Sequence, residues 1–351
     1  MIPPGETIGI LGGGQLGRMI AMAAAQLGYR SHIFAPESDA IAAEVSAAFT
    51  CADWSDRAAM ARFAADCAVI TYEFENVPVA PVAALAPVPV LPHWRALECA
   101  QDRLAEKIFV SGLGGTPAPY AQVDSDADLA AAIAGIGAPG ILKTRREGYD
   151  GKGQWRIAAL ADADHLDLPT TPLIYEGFVT FAAEFSVILC RGADGDVRFW
   201  DSAWNEHEGG ILARSTVPAP AVILDQVAEA RALGRQVAEA LDYVGVLTLE
   251  FFATDAGPVF NEMAPRVHNS GHWTIEGALT SQFENHVRAI CGLPLGDTAL
   301  ACRGVEMKNL IGDEAHDWPL ILSDPANHLH LYGKAAARPG RKMGHVTRLV
   351  L

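Results

Sequence analysis

The sequence predicts a mixed fold, in which a parallel α/β unit is followed by an α+β region. Short apolar runs alternate with Ala-rich helical stretches through the first hundred residues, as in βαβ units around a parallel sheet. The middle of the chain instead carries successive short strands with few helices between them, which is typical of antiparallel pairing. A length of 351 residues is enough for two or three domains with sizeable cores.

The elements of the first unit follow from apolar runs and helical periodicity. Strands are predicted at residues 7–11, 31–34 and 67–72, and helices at residues 16–27 and 101–110. A proline- and valine-rich stretch at residues 84–92 predicts a strand with broken edges that leads out of this unit.

The region beyond is predicted to be rich in strands. They are expected at residues 140–143, 154–157, 173–176, 185–189, 197–205, 246–253 and 258–262. Helices are predicted at residues 224–241 and 282–291, and the apolar stripe of the first is typical of a core-facing helix. From residue 302 onward short strands dominate, and the tail is rich in Gly, Lys and Arg.

The charge balance excludes some classes of partner. Lys and Arg total 26 against 42 Asp and Glu, which gives a net charge of −16. A strongly negative field disfavours binding to nucleic acid or to anionic membranes. It still allows a small phosphorylated ligand, because a binding site depends on local charge.

Cysteine spacing and hydropathy predict a cytoplasmic protein in a reducing compartment. The six cysteines are far apart in sequence and lack zinc-ligand spacing, so each is expected to be a small buried hydrophobe. The start of the chain does not resemble a signal peptide. The longest apolar runs, such as residues 77–91, are interrupted by prolines and too short to span a bilayer.

A glycine-rich turn follows the first predicted strand at residues 12–17, Gly-Gly-Gly-Gln-Leu-Gly. This pattern fits the dinucleotide fingerprint, in which a helix N-terminus attracts a phosphate. A nicotinamide cofactor also needs an acidic residue at the end of the second strand, and Glu37 is already displaced into the loop. A turn required for helix–sheet packing is therefore an equal alternative, and a single phosphate is favoured over a dinucleotide.

A basic, glycine-rich hairpin is predicted at residues 145–154, after the strand that carries Lys143. Backbone N–H groups of such a hairpin can cover phosphates, and the adjacent cations favour that function. The alternative is an ordinary solvated hairpin with a positive face.

Two acidic residues, Glu250 and Glu262, lie in neighbouring apolar strands. Buried acids are costly unless they are paired or bind a metal, and two converging carboxylates would suit nucleotide-bound magnesium. The alternative is that both acids lie on a solvated sheet face. The loop at residues 266–274 follows directly and is dense in hydrogen-bond donors suited to an anionic substrate. Glu73 and Glu75 end a strand of the first unit, where open α/β sheets present ligand contacts, although simple exposure explains them equally well.

Taken in order, these motifs resemble one family. They are the 12–17 turn, the Tyr-Glu-Phe-Glu-Asn turn at 72–76, Asp-Arg at 102–103 with Glu-Lys at 106–107, the 148–154 loop, residues 261–266 and 268–272, and Gly-Arg-Lys-Met-Gly-His at 340–345. The set is similar, nearly end to end, to the ATP-grasp 5-(carboxyamino)imidazole ribonucleotide synthetases of purine biosynthesis. Members of that family continue beyond the segment that matches residues 344–347, so the resemblance predicts a short C-terminus here.

The resemblance implies an ATP-grasp fold in three parts. Residues 1–97 would form a Rossmann-like βαβ domain, residues 98–290 the ATP-grasp body with a lid at about 120–184, and residues 291–351 a small C-terminal domain. It also implies a cytoplasmic homodimer, transient contact with the next mutase of the pathway, and neither nucleic acid nor membrane as partner.

The resemblance also implies site residues. The ATP contacts would be Arg103, Lys143, Gly148, Tyr149, Asp150, Gly151, Lys152, Gly153, Gln154, Glu176, Gly177, Phe178, Val179, Glu184, His207, Asn261 and Glu262. Glu250 and Glu262 would hold Mg²⁺, with Mn²⁺ as an alternative. The substrate contacts would be Gln15, Glu73, Tyr149, Asp150, Lys152, Arg266, His268, Lys334 and Arg341. Catalytic roles would fall to Arg266, His268 and Lys152.

The implied reaction is the carboxylation of 5-aminoimidazole ribonucleotide by bicarbonate, with ATP converted to ADP and phosphate. Another ATP-grasp carboxylate–amine ligase, of the formate-dependent transformylase or biotin carboxylase type, is the nearest alternative. A nicotinamide dehydrogenase and a non-catalytic nucleotide-binding regulator are alternatives of other classes.

Overall fold

A computed structural model describes residues 1–148, 153–163 and 169–351. The chain begins with a parallel sheet, as the sequence predicts. Its strand order is β3-β2-β1-β4. Its strands are β1 (Thr7–Leu11), β2 (Arg30–Ala35), β3 (Ala48–Cys51) and β4 (Val69–Tyr72). Its helices are α1 (Gln15–Gln26), α2 (Arg57–Ala65), α3 (Val79–Ala83), α4 (Trp94–Ala100) and α5 (Arg103–Gly112).

A small antiparallel sheet follows, in the strand order β5-β8-β6-β7. Its strands are β5 (Tyr120–Val123), β6 (Gly140–Thr144), β7 (Gln154–Ile157) and β8 (Leu173–Gly177), and its helices are α6 (Asp126–Ile136) and α7 (Leu160–Ala163). Leu129 and Ile133 of α6 pack with Leu142 and Tyr175 of the sheet in a separate apolar core. This sheet therefore folds around a core of its own, within the stretch predicted to be a lid.

The remaining strands form a nine-stranded antiparallel sheet in the order β14-β13-β9-β11-β12-β15-β17-β16, with β10 paired to β9. They are β9 (Ala183–Arg191), β10 (Val197–Phe199), β11 (Ala203–Glu208), β12 (Ile211–Val217), β13 (Gly245–Thr254), β14 (Gly257–Ala264), β15 (Gly304–Ile311), β16 (Asn327–Leu331) and β17 (Lys342–Val350). Strands from the predicted body and from the predicted C-terminal domain thus share one sheet.

Helices cover this large sheet and join it to the first unit. They are α8 (Ala221–Leu224), α9 (Val227–Ala240), α10 (Thr274–Gly277), α11 (Gln282–Ile290) and α12 (Trp318–Leu322). Helix α9 buries Leu233 and Val237 in the core beneath β9 and β13. Helix α11 packs against β13 and also against α1, so residues of both regions share one apolar core. None of the described helices is long and apolar enough to cross a membrane.

Several local predictions were wrong. Residues 84–92 do not form a strand; Val90 makes only an isolated bridge to Ile70, because the prolines of this stretch remove backbone donors. The strand predicted at 197–205 is interrupted between Phe199 and Ala203, and the helix predicted at 224–241 is divided between α8 and α9. Cys51 lies at the end of the edge strand β3 and is exposed, so not every cysteine is a buried hydrophobe.

Candidate active site

A cavity of about 650 Å³ opens where the parallel sheet, the small sheet and the large sheet meet. The loops after β1 and β4 contribute Gln15 and Glu73 from the carboxyl ends of the parallel strands, where open α/β sheets usually bind ligands. The other predicted site residues that line it are Arg103, Lys143, Gly148, Gln154, Glu184, His207, Glu250, Asn261, Glu262, Arg266 and His268. The predicted site cations Arg103, Lys143 and Arg266 thus line one cavity.

The two predicted metal ligands lie directly opposite each other on β13 and β14. Glu250 pairs with Glu262 in the strand register, while the next pair is Phe251 with Phe260, so Asn261 is an extra residue in β14. Such a bulge shifts the side-chain alternation by one residue. As a result Asn261 and Glu262 both face the cavity, although they are adjacent in sequence. Both acids therefore lie on the face of the sheet that lines the cavity.

Each of these carboxylates has a cationic or ring-nitrogen neighbour. Arg103 Nη1 lies 3.0 Å from Glu262 Oε2, and His268 Nε2 lies 2.9 Å from Glu250 Oε1. Burial would raise the pKa of Glu262, but Arg103 and Lys143 outweigh it and lower that pKa to about 2. The group is thus an anion at neutral pH. Two opposed carboxylates supply the hard oxygen donors that Mg²⁺ prefers, so the residues present fit the ion that the ATP-grasp fold implies.

A buried lysine pair lies under the small sheet. Glu176 Oε2 lies 3.0 Å from Lys143 Nζ and 3.4 Å from Lys107 Nζ, and all three side chains are at most 9% exposed. Burial raises the pKa of the Glu176 carboxyl, but the two lysines outweigh it and the net shift is downward. Burial lowers the pKa of Lys143, although Glu176 opposes this change. Lys143 therefore lines the cavity while its ammonium nitrogen contacts the Glu176 carboxylate.

A second acid–histidine contact also lines the cavity. His207 Nδ1 lies 3.0 Å from Glu184 Oε2. Burial would lower the pKa of His207, but the carboxylates of Glu184 and Glu250 outweigh it, so the net shift raises this pKa. Phe181 and Phe252 stack near Glu184 with centroids 4.6 Å apart and give this end of the cavity an apolar surface.

The glycine-rich turn binds a side chain of the protein itself. Glu73 accepts hydrogen bonds from the N–H groups of Gly14 and Gly17, at 2.9 and 3.1 Å. A Cβ atom built on Gly12 would lie 2.6 Å from Glu73 Oε1. Two N–H groups at the start of α1 are thus bound by a carboxylate of the chain itself, which favours the packing interpretation of this turn over the phosphate-binding one.

Arg266 is held by the turn that follows β4. Its Nε donates to Glu75 Oε2, and its Nη1 donates to Val267 O at 3.0 Å. The sequence marked Glu75 only as a strand-end acid, and the partner that orients Arg266 became visible only in the fold.

The remaining candidate site residues either lie outside the described residues or do not line the cavity. Tyr149, Asp150, Gly151 and Lys152 lie outside the described residues. Of the described candidates, those that do not line the cavity are Gly153, Glu176, Gly177, Phe178, Val179, Lys334 and Arg341.

Contacts explain where several of these residues lie. Phe178 is 43% exposed and lies under the Arg156 guanidinium, on the outer side of the small sheet. Lys334 Nζ donates to the carbonyl oxygen of Lys342 at 2.7 Å, and Lys342 itself lines the cavity. Lys342, Arg145 and Phe181 are cavity residues that the sequence did not single out for a site; only the basic character of the loop and tail indicated the first two.

Comparison with known proteins agrees with this architecture. Three family models match in chain order: the ribonucleotide synthetase preATP-grasp domain at residues 5–101, the ATP-grasp domain at 109–283, and the phosphoribosylaminoimidazole carboxylase C-terminal domain at 306–350. An N5-carboxyaminoimidazole ribonucleotide synthase of Brucella melitensis is 50% identical over 354 residues, which cover 99% of this chain and 97% of that protein. The chain belongs to the N5-carboxyaminoimidazole ribonucleotide synthases.

Solved structures of this synthase family have the same fold. The enzyme from Thermus thermophilus superposes with a TM-score of 0.91 at 46% identity, covering 97% of this chain and 93% of that one. A synthase from Aspergillus clavatus, in complex with ADP and 5-aminoimidazole ribonucleotide, superposes with a TM-score of 0.89 at 30% identity, covering 99% and 94%. The ATP-grasp fold predicted from the motifs is thus confirmed, and the chain is an ATP-grasp ligase.

Proposed function

We propose that this chain carboxylates the exocyclic amine of 5-aminoimidazole ribonucleotide with bicarbonate, and converts ATP to ADP and phosphate. The observation that carries this proposal is the opposed pair Glu250 and Glu262, which lies in one cavity with Arg103, Lys143 and Arg266. Acids that suit a metal ion, beside cations that suit phosphate and carboxylate, are what phosphoryl transfer to bicarbonate requires. Relatives of the same family, over nearly the whole chain, support the choice of substrate.

The nucleotide end of the cavity is assigned to the side near the small sheet. Lys143 and Arg103 offer positive charge to the phosphates, and Glu184 offers acceptors to the ribose hydroxyl groups. The stacked pair of Phe181 and Phe252 provides an apolar surface beside them. The loop at residues 148–154 is proposed to close over the phosphates.

Glu250 and Glu262 would hold Mg²⁺, with Asn261 next to them on the bulge. When bound, the ion would neutralise charge on the phosphoryl oxygens and so favour attack of an anion on the phosphorus. Arg103 lies against Glu262, which keeps this carboxylate ionised and oriented toward the cavity.

The bicarbonate and amine chemistry is assigned to the side near the parallel sheet. An oxygen of bicarbonate attacks the γ-phosphorus, the bond to the ADP oxygen breaks, and carboxyphosphate forms. The amine nitrogen then bonds to the carboxyl carbon, either of carboxyphosphate or of the carbon dioxide it releases, while phosphate leaves and the amine loses a proton. Arg266, held by Glu75, balances the carboxylate charge, and Gln15, Glu73, Lys334 and Arg341 are proposed ribonucleotide contacts.

His268 is proposed to act through the proton on its Nε2 atom. That atom lies 2.9 Å from Glu250 Oε1, so the ring can orient this carboxylate at the cavity wall. Closure of the lid would exclude water, which otherwise hydrolyses the reactive acyl phosphate. In the cell we further propose a cytoplasmic homodimer that passes its unstable product to the next mutase of the pathway.

Release of ADP with different acceptors tests the proposal. We expect ADP release that requires both bicarbonate and 5-aminoimidazole ribonucleotide. No release is expected when formate replaces bicarbonate or when biotin replaces the ribonucleotide. Release driven by formate or biotin would instead assign the chain to another ATP-grasp ligase. Tight ATP binding without stimulated hydrolysis would make it a non-catalytic nucleotide-binding protein.

A further inference from the structure

A row of polar side chains crosses the large sheet beneath the cavity. Glu262 lies opposite Glu250, and Glu250 lies opposite Ser186 on β9. Farther along the sheet, Asn205 lies opposite Ser215 on the adjoining strands β11 and β12. Residues directly opposite each other present their side chains on the same face of a sheet. The row therefore begins at the proposed metal ligands and continues as hydroxyl and amide groups.

These groups form one hydrogen-bonded series that ends on His268. Ser215 Oγ donates to Asn205 Oδ1 at 2.8 Å, and Asn205 Nδ2 donates to Ser186 Oγ at 2.7 Å. The hydroxyl oxygens of Ser186 and Ser270 lie 2.9 Å apart, and Ser270 Oγ lies 2.8 Å from His268 Nδ1. All four of these polar residues are at most 4% exposed, so water does not compete for their hydrogen bonds.

This hydrogen-bonded series contacts the His268 ring at its Nδ1 atom, through Ser270. The Ser270 hydroxyl has one proton, which either Ser186 Oγ or His268 Nδ1 can accept. Nδ1 accepts the backbone N–H of Ser270 at 3.3 Å, and Ser186 Oγ already accepts the Asn205 amide, so the arrangement that satisfies every group has Ser186 donate to Ser270 and Ser270 donate to Nδ1. The proton of a neutral ring then belongs to Nε2, the atom that faces Glu250. Which nitrogen of a histidine is protonated is set by the hydrogen bonds of the other nitrogen.

The backbone of His268 is fixed by a different residue. Gln282 on α11 accepts the His268 N–H at 2.9 Å and donates to the His268 carbonyl at 2.6 Å. This clamp holds the main chain and does not contact the ring. The ring is contacted by Ser270 at Nδ1 and by Glu250 at Nε2, so its orientation depends on the serine and asparagine groups together with that carboxylate.

We infer that Ser186, Asn205, Ser215 and Ser270 are positioning residues, which fix the orientation and tautomer of His268 so that Nε2–H faces Glu250. Neither the sequence motifs nor the proposed reaction assigns a role to these four residues. The inference rests on the proposed function only for its kinetic consequence, because the tautomer is a property of the unliganded protein.

The kinetic test compares Ser186→Ala and Ser270→Ala with a matched control. Ser186 and Ser270 are the links nearest His268. Ser202 is an equally buried serine, and its hydroxyl has no hydrogen-bond partner among the described residues, so Ser202→Ala is the control. We expect kcat to fall about 10–100-fold in the two test variants, with the KM for ATP unchanged, and to stay at the wild-type value in the control. Wild-type kcat in both folded test variants would overturn the inference.

The spectroscopic test uses ¹⁵N-labelled histidine, with the His268 signals assigned from their loss in His268→Gln. For the neutral ring, we expect the wild type to show the Nε2–H tautomer and Ser270→Ala a mixture of tautomers. A wild-type Nδ1–H tautomer would overturn the inference. If the wild type shows Nε2–H but does not consume ATP with bicarbonate and the ribonucleotide, the proposed function fails and the positioning network stands.

Discussion

Gly14 donates its backbone N–H to the carboxylate of Glu73, and the two atoms lie 2.9 Å apart. This contact explains why a glycine-rich turn between a strand and a helix has a structural role here. The carboxylate interacts with the partial positive charge at the N-terminus of α1, which also attracts phosphate groups. The same contact ties β4 to α1 and places Glu73 at the cavity wall.

Substitution of Gly12 tests this packing. Gly12 has a φ of +109°, and an added Cβ would collide with Glu73, whereas exposed Gly5 has a φ of +97° and no atom within 4 Å of its Cβ position. Both alanine variants carry backbone strain, but only Gly12→Ala also displaces Glu73. We expect Gly12→Ala to lower the free energy of unfolding by about 1–3 kcal/mol more than Gly5→Ala, measured by urea denaturation. Equal losses would show that the Glu73 contact contributes little.

Replacement of Glu262 tests the metal site. Glu262→Gln removes the charge of one opposed carboxylate and keeps its shape, so Mg²⁺ and the phosphoryl group lose electrostatic support. We expect kcat to fall about 100-fold or more, with a higher Mg²⁺ concentration needed for half-maximal rate. Glu239→Gln, at an exposed position on α9, serves as the charge-matched control. Near-normal turnover in Glu262→Gln would remove Glu262 from the metal site.

The buried His286 predicts an acid limit to stability. Its ring joins Thr71 of β4 to the backbone of Val246 on β13, and burial lowers its pKa to about 4. The unfolded chain takes up this proton near pH 6.5, while the folded chain does not. The contribution to stability is therefore complete above about pH 6.5 and is lost as the pH falls toward 4, by on the order of 3 kcal/mol.

Urea denaturation at about pH 7.5 and about pH 5 measures this loss. We expect His286→Gln to flatten the pH dependence, because glutamine can keep both hydrogen bonds without titrating. The control is His316→Gln, at a side chain that is 73% exposed. An unchanged slope in His286→Gln would contradict this explanation.

The position of Lys334 beside Lys342 predicts that its side chain contributes to binding the ribonucleotide. Its ammonium donates to the carbonyl oxygen of Lys342, which lines the cavity, so the proposed ribonucleotide contact at Lys334 lies next to a cavity residue. We expect Lys334→Ala to raise the KM for the ribonucleotide about tenfold, leaving the KM for ATP unchanged. Lys308→Ala, at a lysine of β15 that contacts Glu314 and does not line the cavity, should change neither constant. If Lys334→Ala also has wild-type constants, the tail lies away from the substrate.

The sequence predicted the fold class and most strands, because strand-forming runs and βαβ alternation are local signals. The family resemblance also implied Arg103, Lys143 and Arg266 as site residues, and all three line one cavity. The sequence did not predict which way Asn261 and Glu262 face, because one extra residue in β14 reverses the alternation.

Long-range hydrogen bonds were equally out of reach. Glu73 and Gly14 are 59 positions apart, and Ser186 and Ser270 are 84 positions apart. A serine within an apolar strand gives no sign of whether its hydroxyl will meet a histidine or another partner. Only the sheet register and the loop above it bring these groups together.

The path of oxygen from bicarbonate tests the central claim most directly. If a bicarbonate oxygen attacks the γ-phosphorus, ¹⁸O-labelled bicarbonate must leave one labelled oxygen in each phosphate released in the presence of 5-aminoimidazole ribonucleotide. Mass spectrometry of the phosphate measures this transfer in a single-turnover reaction. We predict one ¹⁸O atom per phosphate; phosphate without ¹⁸O, whose fourth oxygen would then come from water, would contradict the proposed reaction.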